Sequence, residues 1–178
     1  MEQNKSCTLQ HFSKFVPNKN MLKDIDLDYT RRVVRRSCNR LGVSQVDLIQ
    51  LHWWDYSVNR YIEVAKHLVT LQEEGLIANI GTTNMDTQRL VEMRKAGIPL
   101  VANQAQYSLV DRRPEEKMLP LCVSSHAAGS GGNPPMYVLA YGVLCGGFLT
   151  DKWLGQPEPK EPPAPSMGKY LALLRQFG

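Results

Sequence analysis

His52 stands at the end of Val46-Asp47-Leu48-Ile49-Gln50-Leu51, a run nearly continuous in apolar residues. Strands covered on both faces read this way. A histidine there can donate a hydrogen bond or a proton to a substrate oxygen. Polar residues recur at the ends of similar runs. Lys14 lies late in His11–Val16, Thr83-Asn84 closes the run from Ile77, Gln104 ends the run from Leu100, and Tyr141 ends the run from Val138. A lysine lowers the pKa of a neighbouring acid through its charge. Asn and Gln carry both donors and acceptors, which suits a carboxamide. A tyrosine ring offers a flat face for stacking. One histidine alone reads most simply as structural. Five polar residues at corresponding strand ends point instead to a site, and the set suits a nicotinamide cofactor facing a carbonyl.

Metal chemistry fits poorly. His52 and Asp55 are close in sequence, but His11, His67 and His126 show no ligand spacing. Cys7, Cys38, Cys122 and Cys145 form no C-x-x-C pair and read as buried, reduced thiols. The expectation is no metal.

The elements that must position these residues alternate strand and helix. Asp28 is placed to cap a helix to Leu41, with Val34, Cys38 and Leu41 as its apolar stripe and Gly42 as its stop. Arg31, Arg32, Arg35, Arg36 and Arg40 lie toward the other side; they could bind phosphates, but a solvated helix face is the plainer reading. A second helix spans Asn59 to Glu74 and ends at Gly75. A third is capped by Asp86, carries Leu90, Met93 and Ala96, and closes at Gly97. Pro114 opens a short helix through Leu121. Trp53-Trp54 reads equally as core or as an apolar pocket wall. Strands joined by helices pair in parallel with right-handed crossovers. Five such units fit a barrel segment or an open sheet, and pattern alone does not decide.

Three divisions follow: residues 1–155 as a partial barrel with a Gly/Ser/Pro-rich loop at 123–136, a Pro-rich linker at 156–165, and a C-terminal helix at 166–178, capped by Ser166 with Tyr170, Leu174 and Phe177 on one side. The 178 residues, 43% of them hydrophobic, can build a real core. A complete (β/α)8 barrel needs about 250 residues, so the chain could hold only part of one. A net charge of +4 does not indicate nucleic acid. No run is long and apolar enough for a membrane span, and Met1–Gln10 lacks a secretory core. A cytoplasmic location is expected.

Val33 to Val43 followed by Val46 to Trp53 resembles the aldo-keto reductase signature around its active-site histidine. Gly75 to Asn84, Asn103 to Leu109, and Leu139-Ala140-Tyr141-Gly142 through Gly146-Gly147-Phe148-Leu149 resemble the family's following strands, in order. The resemblance spans about Lys14 to Trp153. It implies an α/β fold, an incomplete (β/α)8 TIM barrel of about five parallel β/α units, and NADPH-dependent carbonyl reduction, NADH not being excluded. It implies that His52 polarises the carbonyl and that Lys14 matches the lysine that lowers the pKa of a tyrosine proton donor. Asn84 and Gln104 would hold the carboxamide, with Thr83 where serine is usual. Tyr141 would stack on nicotinamide. The Gly142–Leu144 stretch would hold the pyrophosphate, with Gly142 replacing a common serine. The family's donor tyrosine and its aspartate lie upstream of the lysine strand. Met1 to Ser13 contains neither residue type. Weak or absent activity of this chain is therefore expected. A non-catalytic nucleotide- or partner-binding barrel fragment is the alternative. Unpaired barrel edges would favour self-association.

Overall fold

The computed structural model describes residues 9–126, 132–161 and 164–176. Five strands form one sheet: β1 (Phe12–Phe15), β2 (Val46–Leu51), β3 (Ile77–Thr83), β4 (Leu100–Gln106) and β5 (Tyr137–Tyr141). They lie in chain order and every neighbouring pair is parallel, so β1 and β5 are the two edges. Helices α1 (Leu27–Leu41), α2 (Tyr61–Glu73), α3 (Thr87–Lys95) and α4 (Pro114–Ser125) make the crossovers, and α5 (Pro165–Leu174) follows β5. The parallel β/α repeat expected from the sequence is thus present. No helix among the described residues is long and apolar enough to cross a membrane.

Register explains the layering. Phe15, Leu51, Thr82, Asn103 and Val138 stand side by side across the sheet. This row belongs to the helix side: Phe15 packs edge-on against Tyr29 of α1, and Phe15, Leu51, Val64, Leu68, Leu71, Ile80 and Leu90 share one buried cluster. The other face carries the row Lys14, Gln50, Gly81, Ala102 and Tyr137. Successive strand residues point to opposite faces, so this alternation fixes which side chains can meet.

Several boundaries differ from the sequence reading. Asp26, not Asp28, caps α1: its backbone is extended and its carboxylate accepts from the Tyr29 amide at 2.6 Å. Asp28 instead sits in the first turn, paired with Arg31. Leu41, expected on the buried stripe, is exposed, and Thr30 completes the stripe with Val34 and Cys38. The reason is that Leu41 ends the helix and the chain departs at Gly42, which is left-handed as expected at a C-cap. α4 runs to Ser125 rather than Leu121, so the expected loop at 123–136 starts in helix; residues 127–131 of it lie outside the described residues. Buried Ser125 joins this helix end to the next strand, donating to the Cys122 carbonyl and accepting from the Met136 amide at 2.8 Å. Pro165, not Ser166, opens α5 behind an extended Ala164. Proline suits that first position because its missing N–H has no acceptor there. Phe177 lies outside the described residues. Cys38, Cys122 and Cys145 are buried free thiols, and Cys7 is outside the described residues.

Candidate active site

The C-terminal strand ends bring the candidate residues together on one rim. His52 is the first residue past β2, and its amide still donates to the Phe15 carbonyl at 3.0 Å. The ladder therefore places it although the strand ends at Leu51. One residue beyond the Leu51–Thr82 pair, His52 comes alongside Thr83, and Thr83 pairs with Gln104. Gln104 is inside its strand rather than at the end, because β4 continues to Gln106. Thr83 donates through Oγ1 to Gln104 Oε1 at 3.0 Å, and the Asn84 amide donates to the Gln104 carbonyl at 2.8 Å.

The His52 ring lies 4.3 Å from the Trp54 ring, tilted by 32°. Trp54 is exposed, yet its Nε1 donates to the Pro17 carbonyl at 2.8 Å, which fixes the indole. Trp53 points the other way into the core, donating to the Asp55 and Val58 carbonyls. The tryptophan pair thus divides between rim and core. Lys14 lies in the row below His52, on β1. Burial first, and then the positive charge of Lys14, hold the His52 pKa below the ordinary histidine value. A neutral imidazole donates one hydrogen bond and suits a carbonyl oxygen.

This has a stability consequence. Burial also lowers the His67 pKa. The unfolded chain binds protons on both rings more readily than the folded one, so stability rises with pH wherever the two states differ. The contribution is complete above the unfolded value of 6.5 and is lost as pH falls below it toward the lower folded values. The urea midpoint is expected to drop between pH 7.5 and 5.5. The His52→Asn, His67→Asn double variant should flatten that slope; an unchanged slope refutes the assignment.

The β5 end carries the rest of the set. Tyr141 donates from its hydroxyl to Asn84 Oδ1 at 2.9 Å. Asn84 adopts a left-handed φ of 53°, a conformation asparagine tolerates better than most residues. The acceptor oxygens of Asn84 and Gln104 are thereby engaged by Tyr141 and Thr83. Among the described residues their amide NH2 groups meet no protein acceptor. After Tyr141 the chain turns through Gly142, Val143 and exposed Leu144 into Cys145–Gly147. Gly142, Cys145, Gly146 and Gly147 all have positive φ. Among the described residues the Val143 and Leu144 amides meet no protein acceptor, whereas Cys145 donates back to Gly142 at 2.9 Å. Amides exposed at such a turn make a concavity that accepts anions. Tyr170 of α5 packs under the turn, with its ring where side chains at Gly142 and Gly146 would lie.

Residues outside the sequence candidates also gather here. A cleft of about 560 Å³ opens beside Asn84 and Tyr141, with Arg113 of the β4–α4 connection and Lys169 of α5 on its walls. Lys169 Nζ is 5.5 Å from the Tyr141 ring centroid. The signals were faint: Arg113 precedes the helix-opening Pro114, and Lys169 adjoins a tyrosine in the last amphipathic stretch. Among the described residues no group of three or more His, Cys, Asp or Glu side chains is placed to hold a metal ion.

The aldo/keto reductase family pattern matches residues 9–176. The chain belongs to the aldo/keto reductase family. It is 33% identical over 111 residues to an NADH-specific methylglyoxal reductase of Escherichia coli, covering 60% of this chain and 33% of that one. It is 34% identical over 119 residues to the aldo-keto reductase YhdN of Bacillus subtilis, covering 67% of this chain and 33% of that one. Among solved structures, the glycerol dehydrogenase AKR11B4 of Gluconobacter oxydans superposes with a TM-score of 0.59 at 29% identity, covering 85% of this chain and 46% of that one. Aldo-keto reductase AKR11C1 of Bacillus halodurans gives 0.64 at 25%, covering 93% and 52%. This aldo/keto reductase chain therefore spans about a third of those curated relatives and about half of those solved barrels. Its five-stranded parallel sheet is a segment of their (β/α)8 architecture.

Proposed function

We propose that the protein reduces aldehyde or ketone carbonyls with a nicotinamide cofactor, NADPH by preference of the family resemblance and NADH as the other candidate. The observation that carries this reading is the alignment of His52, Thr83 and Gln104 across three neighbouring strand ends, with Asn84 bonded to Tyr141 beside them. Asn84 and Gln104 would present their amide donors to the carboxamide. The Tyr141 ring would support the nicotinamide face. The Val143 and Leu144 amides would meet phosphate oxygens. When bound, the cofactor supplies the hydride, and the protein orients it. Neutral His52 would donate to the carbonyl oxygen, its burial first and then the charge of Lys14 holding its pKa down. The Escherichia coli relative, by its name, reduces methylglyoxal with NADH. A small reactive carbonyl is the substrate class that this suggests.

NADPH fluorescence titration of the 178-residue chain tests the cofactor half of the proposal. Saturable binding is expected. Tyr141→Ala should weaken it roughly two- to tenfold, the range expected from lost aromatic stacking. Tyr141→Phe keeps the ring but frees Asn84 Oδ1, so its affinity should fall between those of the parent and Tyr141→Ala. Failure to bind NADPH and NADH alike would overturn the reading. Binding without turnover is the second reading, since none of the seven tyrosines matches the family's proton donor by motif.

A further inference from the structure

We propose that the cleft bounded by β5, the start of α4 and α5 is an anion subsite, where Arg113 and Lys169 receive the carboxylate or phosphate of a substrate with an apolar body. Three observations support it. First, Arg113 is held in place by a buried acid. Its Nε and Nη2 donate to Asp111 Oδ1 and Oδ2 at 2.8 and 2.7 Å, and Gln106 Nε2 also donates to Asp111 Oδ2 at 2.8 Å. The Asp111 side chain is 1% exposed while that of Arg113 is 76% exposed. One edge of the guanidinium is therefore fixed and the remaining N–H groups face outward. A planar fork oriented in advance loses little freedom when it captures an oxyanion.

Second, the charge is not cancelled. Asp111, behind the wall, balances Arg113, and Asp86, an acid on the cleft wall, is paired with Arg89. Among the described residues no carboxylate forms an ion pair with exposed Lys169, whose Nζ sits over the Tyr141 and Tyr170 rings at 5.5 Å from each centroid. The cleft thus keeps about one net positive charge. Third, Met118 and Leu173 line the same cleft, and its volume of about 560 Å³ suits a small organic molecule. The proposal rests on the carbonyl-reductase reading for the adjoining Tyr141 site.

Two probes separate charge from shape: 4-carboxybenzaldehyde and its methyl ester. Ligand-observed NMR titrations of the whole chain, with and without NADPH, would measure both. The acid is expected to bind about tenfold tighter than the ester at low salt, as one charge-assisted contact allows. Inorganic phosphate should compete with the acid, and added salt should shrink the ratio. Lys169→Gln, at an exposed position that leaves Asp111 untouched, should remove most of the preference. The Lys169→Gln, Arg113→Gln double variant, made with Asp111→Asn so that no buried carboxylate is left unpaired, should bring the ratio near unity. Equal binding of acid and ester by the parent chain overturns the proposal, as does a preference that survives in the double variant. Loss of NADPH affinity matching the loss of acid affinity, with NADPH displacing the acid, also overturns it, because the charges would then read the cofactor. A parent chain that prefers the acid but binds no nicotinamide keeps the subsite and removes the cofactor reading above.

Discussion

Reduction of a reactive aldehyde by NADPH is expected to run about 10²- to 10⁴-fold below ordinary reductase rates in the 178-residue chain, the range lost with a general acid. On the proposed reading, the rim groups would orient a carbonyl and a cofactor. None of the seven tyrosines matches, by motif, the proton donor that the family resemblance implies. None of the tyrosines with a resolved shift is tuned to replace it. Burial raises the pKa of Tyr56 and of Tyr170. Tyr61 is pushed up to about 12 by burial and by its bond to Glu92. Tyr107 is raised chiefly by its bond to Glu115. Each shift makes the phenol a poorer acid at neutral pH. Tyr141 is at the site, but its hydroxyl is committed to Asn84. Consumption of NADPH by the purified chain is the measurement. Adding an N-terminal segment that carries an Asp and a Tyr in the family's order should restore turnover. Ordinary rates from the chain alone would show that another group delivers the proton.

The strands and most helix stops were legible because their signals are local. Apolar runs of strand length, left-handed glycines at Gly42, Gly75 and Gly97, and Asp86 before Thr87 all act within a turn of their own position. Asp86 does cap α3, accepting from the Arg89 amide at 2.9 Å. The choice between Asp26 and Asp28 was harder, since both residues are good caps and only backbone conformation separates them. Leu41 failed for a tertiary reason: its period is right, but the core ends before it. The end of α4 was obscured by Pro120, which ordinarily argues for a stop.

The site was legible as a list of strand ends, and not as contacts. Nothing local reveals that Trp54 stacks on His52 while Trp53 turns inward. That depends on Pro17, from β1's far end, accepting the Trp54 N–H. Likewise α5 read as a segment beyond a proline-rich stretch. Its Tyr170 fills the space left by the missing Cβ atoms of Gly142 and Gly146, and this brings Lys169 to the Tyr141 ring. Glycine spacing shows that side chains are absent. It does not say which ring will use the gap.

Gly81→Val is expected to cost about 3 kcal/mol of stability, the upper end for overpacking a well-filled site, and to weaken nicotinamide binding with it. Gly81 is buried where the β3–β4 register shifts, between the Ile80–Leu100 and Gly81–Ala102 pairs. A Cβ there would stand 2.9 Å from the Ala102 carbonyl oxygen and 3.3 Å from Leu48 Cδ1. The first obstacle is backbone, so the strands themselves must part. They part immediately below the Thr83–Gln104 pair and the Asn84 amide bond to Gln104. Gly75→Ala provides the contrast. Gly75 has a φ of 77° but open space around its Cβ position, so the substitution brings only conformational strain, about 1 kcal/mol. Urea denaturation of both variants separates the two effects, and fluorescence titration shows which reaches the site. Gly75→Ala should lose stability while keeping the parent's affinity, and Gly81→Val should lose both. A Gly81→Val protein within about 0.5 kcal/mol of the parent, the range of ordinary surface substitutions, would mean that the close approach of β3 to β4 does not hold the site in place.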